Sequence, residues 1–171
     1  MTAASIVLSR GFQLSSNEYD WLGDGVYFFQ DARIRAWEWA QRFHDTQAAV
    51  LGARIRLEDC MDLLDIAWSR FLAGAYDSFM AKWKSSGRPL PVQKGGAHRM
   101  DRYVINYAVA VLAERGLKIR TVRAAFSEGK PVFPNSALMD HSHVQIAVRD
   151  TTLVEKVWSA DDEKEIAHVD A

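Results

Sequence analysis

Helical periodicity occupies most of this chain up to residue 116, and strand periodicity most of the remainder, with a few short strands interspersed early. That order argues for an α+β fold, because a doubly wound sheet needs strands and helices to alternate along the whole chain. An opening helix is expected over Ala3 to Arg10, with apolar Ala3, Ile6 and Val7 and with Gly11 as its C-cap. Asp31 is placed to N-cap a second helix whose buried stripe is Ala32, Ala36, Trp39, Ala40 and Phe43. Residues 47–57 change to a β pattern, Arg54 and Arg56 alternating with Ala53, Ile55 and Leu57. A third helix, Met61 to Lys84, carries Trp68, Phe71, Leu72, Ala75, Phe79 and Trp83 on one broad side. A fourth, Asp101 to Arg115, presents Val104, Ile105, Ala108, Val111 and Leu112 and is closed by Gly116. Strands at about 118–126, 143–149 and 153–158 complete the chain, with Glu128-Gly-Lys-Pro131 as a turn. Ser85 to Gly96 is the one loop marked by composition. At 171 residues and 49% hydrophobic, the whole of 1–171 reads as a single domain with a sizeable core.

Charge and motifs narrow the function classes. Twenty-one basic against 22 acidic residues leave a net charge of −1, so no global field draws the protein to nucleic acid or an anionic membrane. A local basic loop at Arg88, Lys94 and Arg99 could still guide an acceptor, or is simply solvated. The lone Cys60 excludes an internal disulfide and suits a reducing cytoplasm. The N-terminus lacks the charged and apolar regions of a signal peptide, and no stretch approaches the ~20 apolar residues of a membrane span. No Gly-x-Gly-x-x-Gly and no P-loop is present, so any nucleotide site must be of another kind.

Two segments stand out chemically. In Asp20-Trp-Leu-Gly-Asp-Gly-Val-Tyr-Phe-Phe29, Gly23 and Gly25 allow a tight turn or a close approach to a ligand, and Val26 to Phe29 reads as a strand with Tyr27 and Phe29 on one face. A phenol at such a turn can stack on a flat ring, or the segment is a turn entering a buried strand. Asp20 and Trp21 are read as bracing the turn. In His141-Ser-His-Val-Gln-Ile-Ala-Val-Arg149, Val144, Ile146 and Val148 are the core face. The other face gathers His143, Gln145, Ala147 and Arg149, which suits either the wall of a polar cleft or a solvent-facing edge strand. His141 and His143 have the spacing of a metal pair, but no third ligand is specified nearby, so no metal is assigned.

Taken in order, Gly11-Phe12 with Ser15 and Asn17, the 20–29 segment, Ala36-Trp-Glu-Trp-Ala40, Val122-Arg-Ala-Ala-Phe-Ser-Glu-Gly129 and Ser142 to Arg149 resemble the small bacterial ADP-ribosyltransferase-like proteins related to the poly(ADP-ribose) polymerase fold. The resemblance covers nearly the whole chain. It implies two small, mainly antiparallel sheets forming a cleft flanked by helices, with NAD as substrate and a cytoplasmic location. It also implies that the fold's first strand, which bears a ribose-holding histidine, is missing here. The stacking tyrosine falls on Tyr27, and the last triad position, glutamate in the polymerases, falls on Gln145. An amide can hydrogen-bond but cannot act as a base, so polymer elongation is not expected, whereas single transfer through an oxocarbenium-like state needs mainly positioning. Glu128 is the alternative carboxylate, or a solvated turn residue. Gly25 and His143 join the NAD-binding set. Ser15 and Asn17 either bind adenosine ribose or cap the turn, and Arg123 and Arg149 either meet the pyrophosphate or an acidic target, or are ordinary strand residues. The implied activity is mono-ADP-ribosyl transfer to a macromolecular acceptor of unknown type, as a toxin or phage-defence effector with an antitoxin protein as candidate partner. The alternative is a catalytically inactive NAD-binding or protein-interaction module.

Overall fold

Four helices and two small, mostly antiparallel sheets make up the residues described by a computed structural model, which are 3–44, 48–91 and 97–160. The α+β class expected from the sequence is therefore the observed one. The helices are α1 (Ala3–Arg10), α2 (Arg33–His44), α3 (Ile66–Ser85) and α4 (Arg99–Glu114). The strands are β1 (Val26–Gln30), β2 (Leu51–Ile55), β3 (Cys60–Asp62), β4 (Thr121–Phe126), β5 (His143–Val148) and β6 (Val154–Ser159). The larger sheet has the order β1-β5-β4-β3, and β2 pairs with β6 in the smaller one. Only the β3–β4 pair is parallel.

The two faces of the larger sheet follow the two-residue period of its strands. Tyr27, Met61, Val122, Ala124 and Ala147 meet α3 and α4 through Ala75, Ile105, Ala108 and Leu112. Val26, Ile146 and Val148 face the other way and pack with Phe12, Phe28, Ile55 and Leu153. Between β1, α2 and β2 runs an open groove of about 780 Å³. Among the described residues, no helix is long and apolar enough to cross a membrane.

Several expectations are corrected. The third helix begins at Ile66, not Met61, because Asp65 caps it by accepting a 2.8 Å bond from the Ala67 N–H. Met61 instead lies fully buried in β3, a strand the pattern concealed. The stripe on α2 is only partly covered: Ala40 is buried, but Trp39 and Phe43 are 42% and 58% exposed, since among the described elements α2 packs mainly on β1 and the groove opens beside it. Asp31 takes a left-handed φ of 50° and turns the chain ahead of α2, leaving Ala32 at the N-cap position. Arg56 falls beyond β2, while residue 47 of that expected strand and Lys94 of the basic loop lie outside the described residues. Arg99 belongs to α4 and pairs with Glu18. Lastly, β5 is no edge strand: it sits between β1 and β4, so both its edges are paired.

Candidate functional site

Antiparallel register decides which residues meet around β5. Phe29 of β1 and Ala124 of β4 lie opposite Gln145, Tyr27 lies opposite Ala147, and Phe126 lies opposite His143. Residues 143, 145 and 147 therefore share a face with Tyr27, Phe29 and Phe126. At the Ala147 end this face is closed core. At the His143 end it is ringed by aromatic side chains, with centroid separations of 4.9 Å for Phe29 and His143, 5.6 Å for Phe126 and His143, and 5.0 Å for Trp21 and Phe126. His98, preceding α4, meets Phe126 edge-on at 5.5 Å.

A directed chain of hydrogen bonds runs through this cluster. The indole Nε1–H of Trp21 donates to Gln145 Oε1 at 2.8 Å, and Gln145 Nε2 is 2.8 Å from His143 Nε2. An indole can only donate, so the amide oxygen must face it and the amide nitrogen must face the imidazole. His143 Nε2 is then the acceptor, and its Nδ1–H donates to the His141 carbonyl at 2.7 Å. His143 is buried, with both ring nitrogens engaged. Gln145 keeps one lone pair and one N–H in hand, enough to accept from and donate to a ligand hydroxyl.

Tyr27 has a different setting from the open platform suggested by its sequence context. Its hydroxyl accepts from the Leu22 N–H and donates to the Gly23 carbonyl, both at 2.8 Å. The phenol thus closes the 20–25 turn on itself. Burial, chiefly, and the Asp20 carboxylate push its pKa above the ordinary value, so it stays a neutral phenol. Tyr27→Phe would leave the Leu22 N–H without its partner, and a stability loss of about 1–2 kcal/mol is expected in a denaturant melt. An unchanged midpoint would show that the hydroxyl does not hold the turn.

The glycines of this turn are filled by protein atoms. A Cβ on Gly23, φ 82°, would stand 2.6 Å from Asn106 Oδ1 and 3.0 Å from an Arg149 guanidinium nitrogen. On Gly25 it would meet the Val148 carbonyl at 3.1 Å. Arg149 donates to the Asp24 carbonyl at 2.8 Å and to Asn106 at 3.0 Å, and Arg102 pairs with the Asp24 carboxylate at 2.7 Å. Burial lowers the Arg149 pKa from its usual value, against the nearby Asp24 charge that raises it. Arg149 is thus a brace for the turn. Arg123 is likewise engaged, with Gln30 at 2.7 Å and Asp62 at 2.8 Å.

Ser15 and Asn17 also serve the turn. Ser15 Oγ donates to the buried Asp20 carboxylate at 2.6 Å, the Asn17 N–H donates to the same oxygen at 2.5 Å, and Asn17 Nδ2 donates to Ser15 Oγ at 2.8 Å. Glu128, on the loop after β4, is bound by Arg35 of α2 at 2.7 Å. It is not among the hydrogen-bond partners of Gln145. Among the described residues no group of three or more His, Cys, Asp or Glu side chains is placed to hold a metal ion.

The structure therefore brings Gln145 and His143 into contact, sets Tyr27 on their face, and keeps Ser15, Asn17 and Glu128 in other networks. Trp21, expected only to brace the turn, also reaches β5. Phe29, expected on the Tyr27 face, joins the cluster, whereas Phe126 and His98 are brought there by cross-strand register and the packing of α4. Comparison with family models, curated proteins and solved structures finds no match for this chain.

Proposed function

We propose that this chain is an NAD-binding domain of the ADP-ribosyltransferase type, transferring one ADP-ribose unit to a macromolecular acceptor. In that reaction the bond between ribose C1′ and the nicotinamide nitrogen breaks, nicotinamide leaves, and an acceptor nucleophile bonds to C1′ as its proton departs. One observation carries the reading. The separate blocks 20–29, 122–129 and 142–149 supply adjacent strands β1, β4 and β5, and their residues gather as an aromatic wall around an oriented amide. Flat rings at Phe29, Phe126 and Trp21 offer stacking surface to nicotinamide, worth about 0.5–1.5 kcal/mol per ring pair beyond area burial. The spare donor and acceptor of Gln145 suit a ribose hydroxyl. Positioning of this kind assists an oxocarbenium-like transition state without a base.

A second reading, NAD binding without turnover, is favoured by the neutrality of the Gln145 partners. Trp21 and His143 hold the amide, while Arg35 holds the Glu128 carboxylate elsewhere. Calorimetry with NAD, paired with nicotinamide release from labelled NAD in cell lysate, separates the two. Heat with release and label transfer to protein, RNA or DNA is the expected outcome. Heat without release selects the second reading, and a folded protein giving no heat at millimolar NAD defeats both.

A further inference from the structure

His143 is a buried titratable side chain at the centre of the candidate site, and what its neighbours can donate or accept fixes its chemistry there. A carbonyl only accepts, so the 2.7 Å contact with the His141 carbonyl places a hydrogen on Nδ1. An indole only donates, so the 2.8 Å contact with Trp21 puts Gln145 Oε1 on that side and the amide NH2 group against His143 Nε2, also at 2.8 Å. From Trp21 through Gln145 and His143 to the His141 carbonyl, every donor meets an acceptor. That holds only while Nε2 carries no hydrogen.

A proton on Nε2 turns that acceptor into a donor. The indole and the imidazolium then flank one amide with a single oxygen, and neither orientation of the amide satisfies both. A hydrogen bond from a charged donor is about twice as strong as a neutral one, so the amide turns its oxygen to the imidazolium and its NH2 group to the indole, which loses its acceptor. No ion pair offsets the charge. The rings of Phe29 on β1 and Phe126 on β4 pack on the imidazole at 4.9 and 5.6 Å. Of the surrounding titratable and charged groups, His98 stands against Phe126, Asp140 and the α2 residue Glu38 meet His141, and Arg35 of α2 holds Glu128. Among the described residues, no carboxylate is paired with His143.

We propose that the protonation state of His143 gates the site: neutral, it holds the Gln145 amide oriented toward Trp21; protonated, it turns the amide over and leaves the indole N–H without its partner. A ligand hydroxyl held by the spare donor and acceptor of Gln145 then finds the two exchanged. That consequence rests on the NAD reading of the site, whereas the gate itself is a property of the three side chains.

Nitrogen NMR of the full chain between about pH 8 and pH 5, the span in which imidazoles ordinarily titrate, reads the gate. The Trp21 Nε1–H and Gln145 NH2 resonances should move along one titration curve with the His143 ring. Gln145→Glu offers two acceptor oxygens in nearly the same shape, satisfying the indole and the imidazolium together. The His143 midpoint should then rise by about one pH unit or more, a tenfold gain in proton affinity, and the Trp21 resonance should stop following it. Trp21→Phe removes the competing donor without adding charge, and should raise the midpoint as well. His143 staying neutral until the chain unfolds, a Trp21 resonance indifferent to His143, or an unchanged midpoint in both folded variants would each overturn the gate. Calorimetry with NAD should show about tenfold weaker binding at the acid end of that span, the equivalent of about 1.4 kcal/mol. A chain giving no heat at either end removes the NAD reading, while the resonances still decide the gate.

Discussion

Gly23→Ala is expected to destabilise the domain by about 3 kcal/mol, lowering Tm by roughly 6–12 °C in a chain of this size. Two costs combine. A φ of 82° puts an alanine Cβ against its own backbone, which costs about 1–2 kcal/mol. The same Cβ would stand 2.6 Å from Asn106 Oδ1, the atom that accepts from the Asp24 N–H and from Arg149. Displacing it costs a further 1–3 kcal/mol or so, the ordinary range for overpacking. Gly116→Ala is the internal control: its φ is 79°, but nothing lies within 4 Å of the added Cβ, so only the backbone cost applies. Thermal melts showing Gly23→Ala to be no worse than Gly116→Ala would remove the steric contribution.

The second large effect is functional. Gln145→Ala should weaken NAD binding about tenfold, the equivalent of one lost hydrogen bond near 1.4 kcal/mol, and should lower any nicotinamide release. It also strips Trp21 Nε1 and His143 Nε2 of their partner, so the melting curve must be taken alongside the binding curve. Glu128→Ala should do less, since it removes one of the two carboxylate partners of Arg35, Glu38 being the other, and leaves the Trp21–Gln145–His143 chain in place. Isothermal calorimetry and a release assay on both folded variants decide the matter. A greater loss in Glu128→Ala would transfer the chemical role to that carboxylate.

Helices are legible where a stripe of apolar residues meets a covering layer. For α1 the expected limits, Ala3 to Arg10, are those observed, and in α4 the expected Val104, Ile105, Ala108 and Leu112 are buried. Strands β4, β5 and β6 fall within a few residues of their expected positions because their alternation is strong. β3 is not legible: Cys-Met-Asp is too short to show a period, and its pairing with Thr121 to Arg123 is a distant parallel contact. The exposure of Trp39 and Phe43 is equally hidden, since a helical stripe shows which side is apolar but not what lies over it. For the candidate site, the sequence picks out Gln145 and His143, but not the burial of His143. That burial comes from Phe29 of β1 and Phe126 of β4, which pack on the imidazole, and the β1 pairing is made by residues more than a hundred positions away in the chain.

That non-local pairing shapes how the chain acquires its structure. β4 and β5 are joined by one intervening loop, and α3 and α4 pack together nearby, so residues 66–148 contain the shortest-range contacts of the larger sheet and are the natural place for folding to nucleate. β1 and β2 are synthesised first and matched last. The partner of β1 begins at His143, and that of β2 ends at Ser159. On the ribosome these two aromatic or apolar segments must therefore wait for nearly the whole described chain before either can pair.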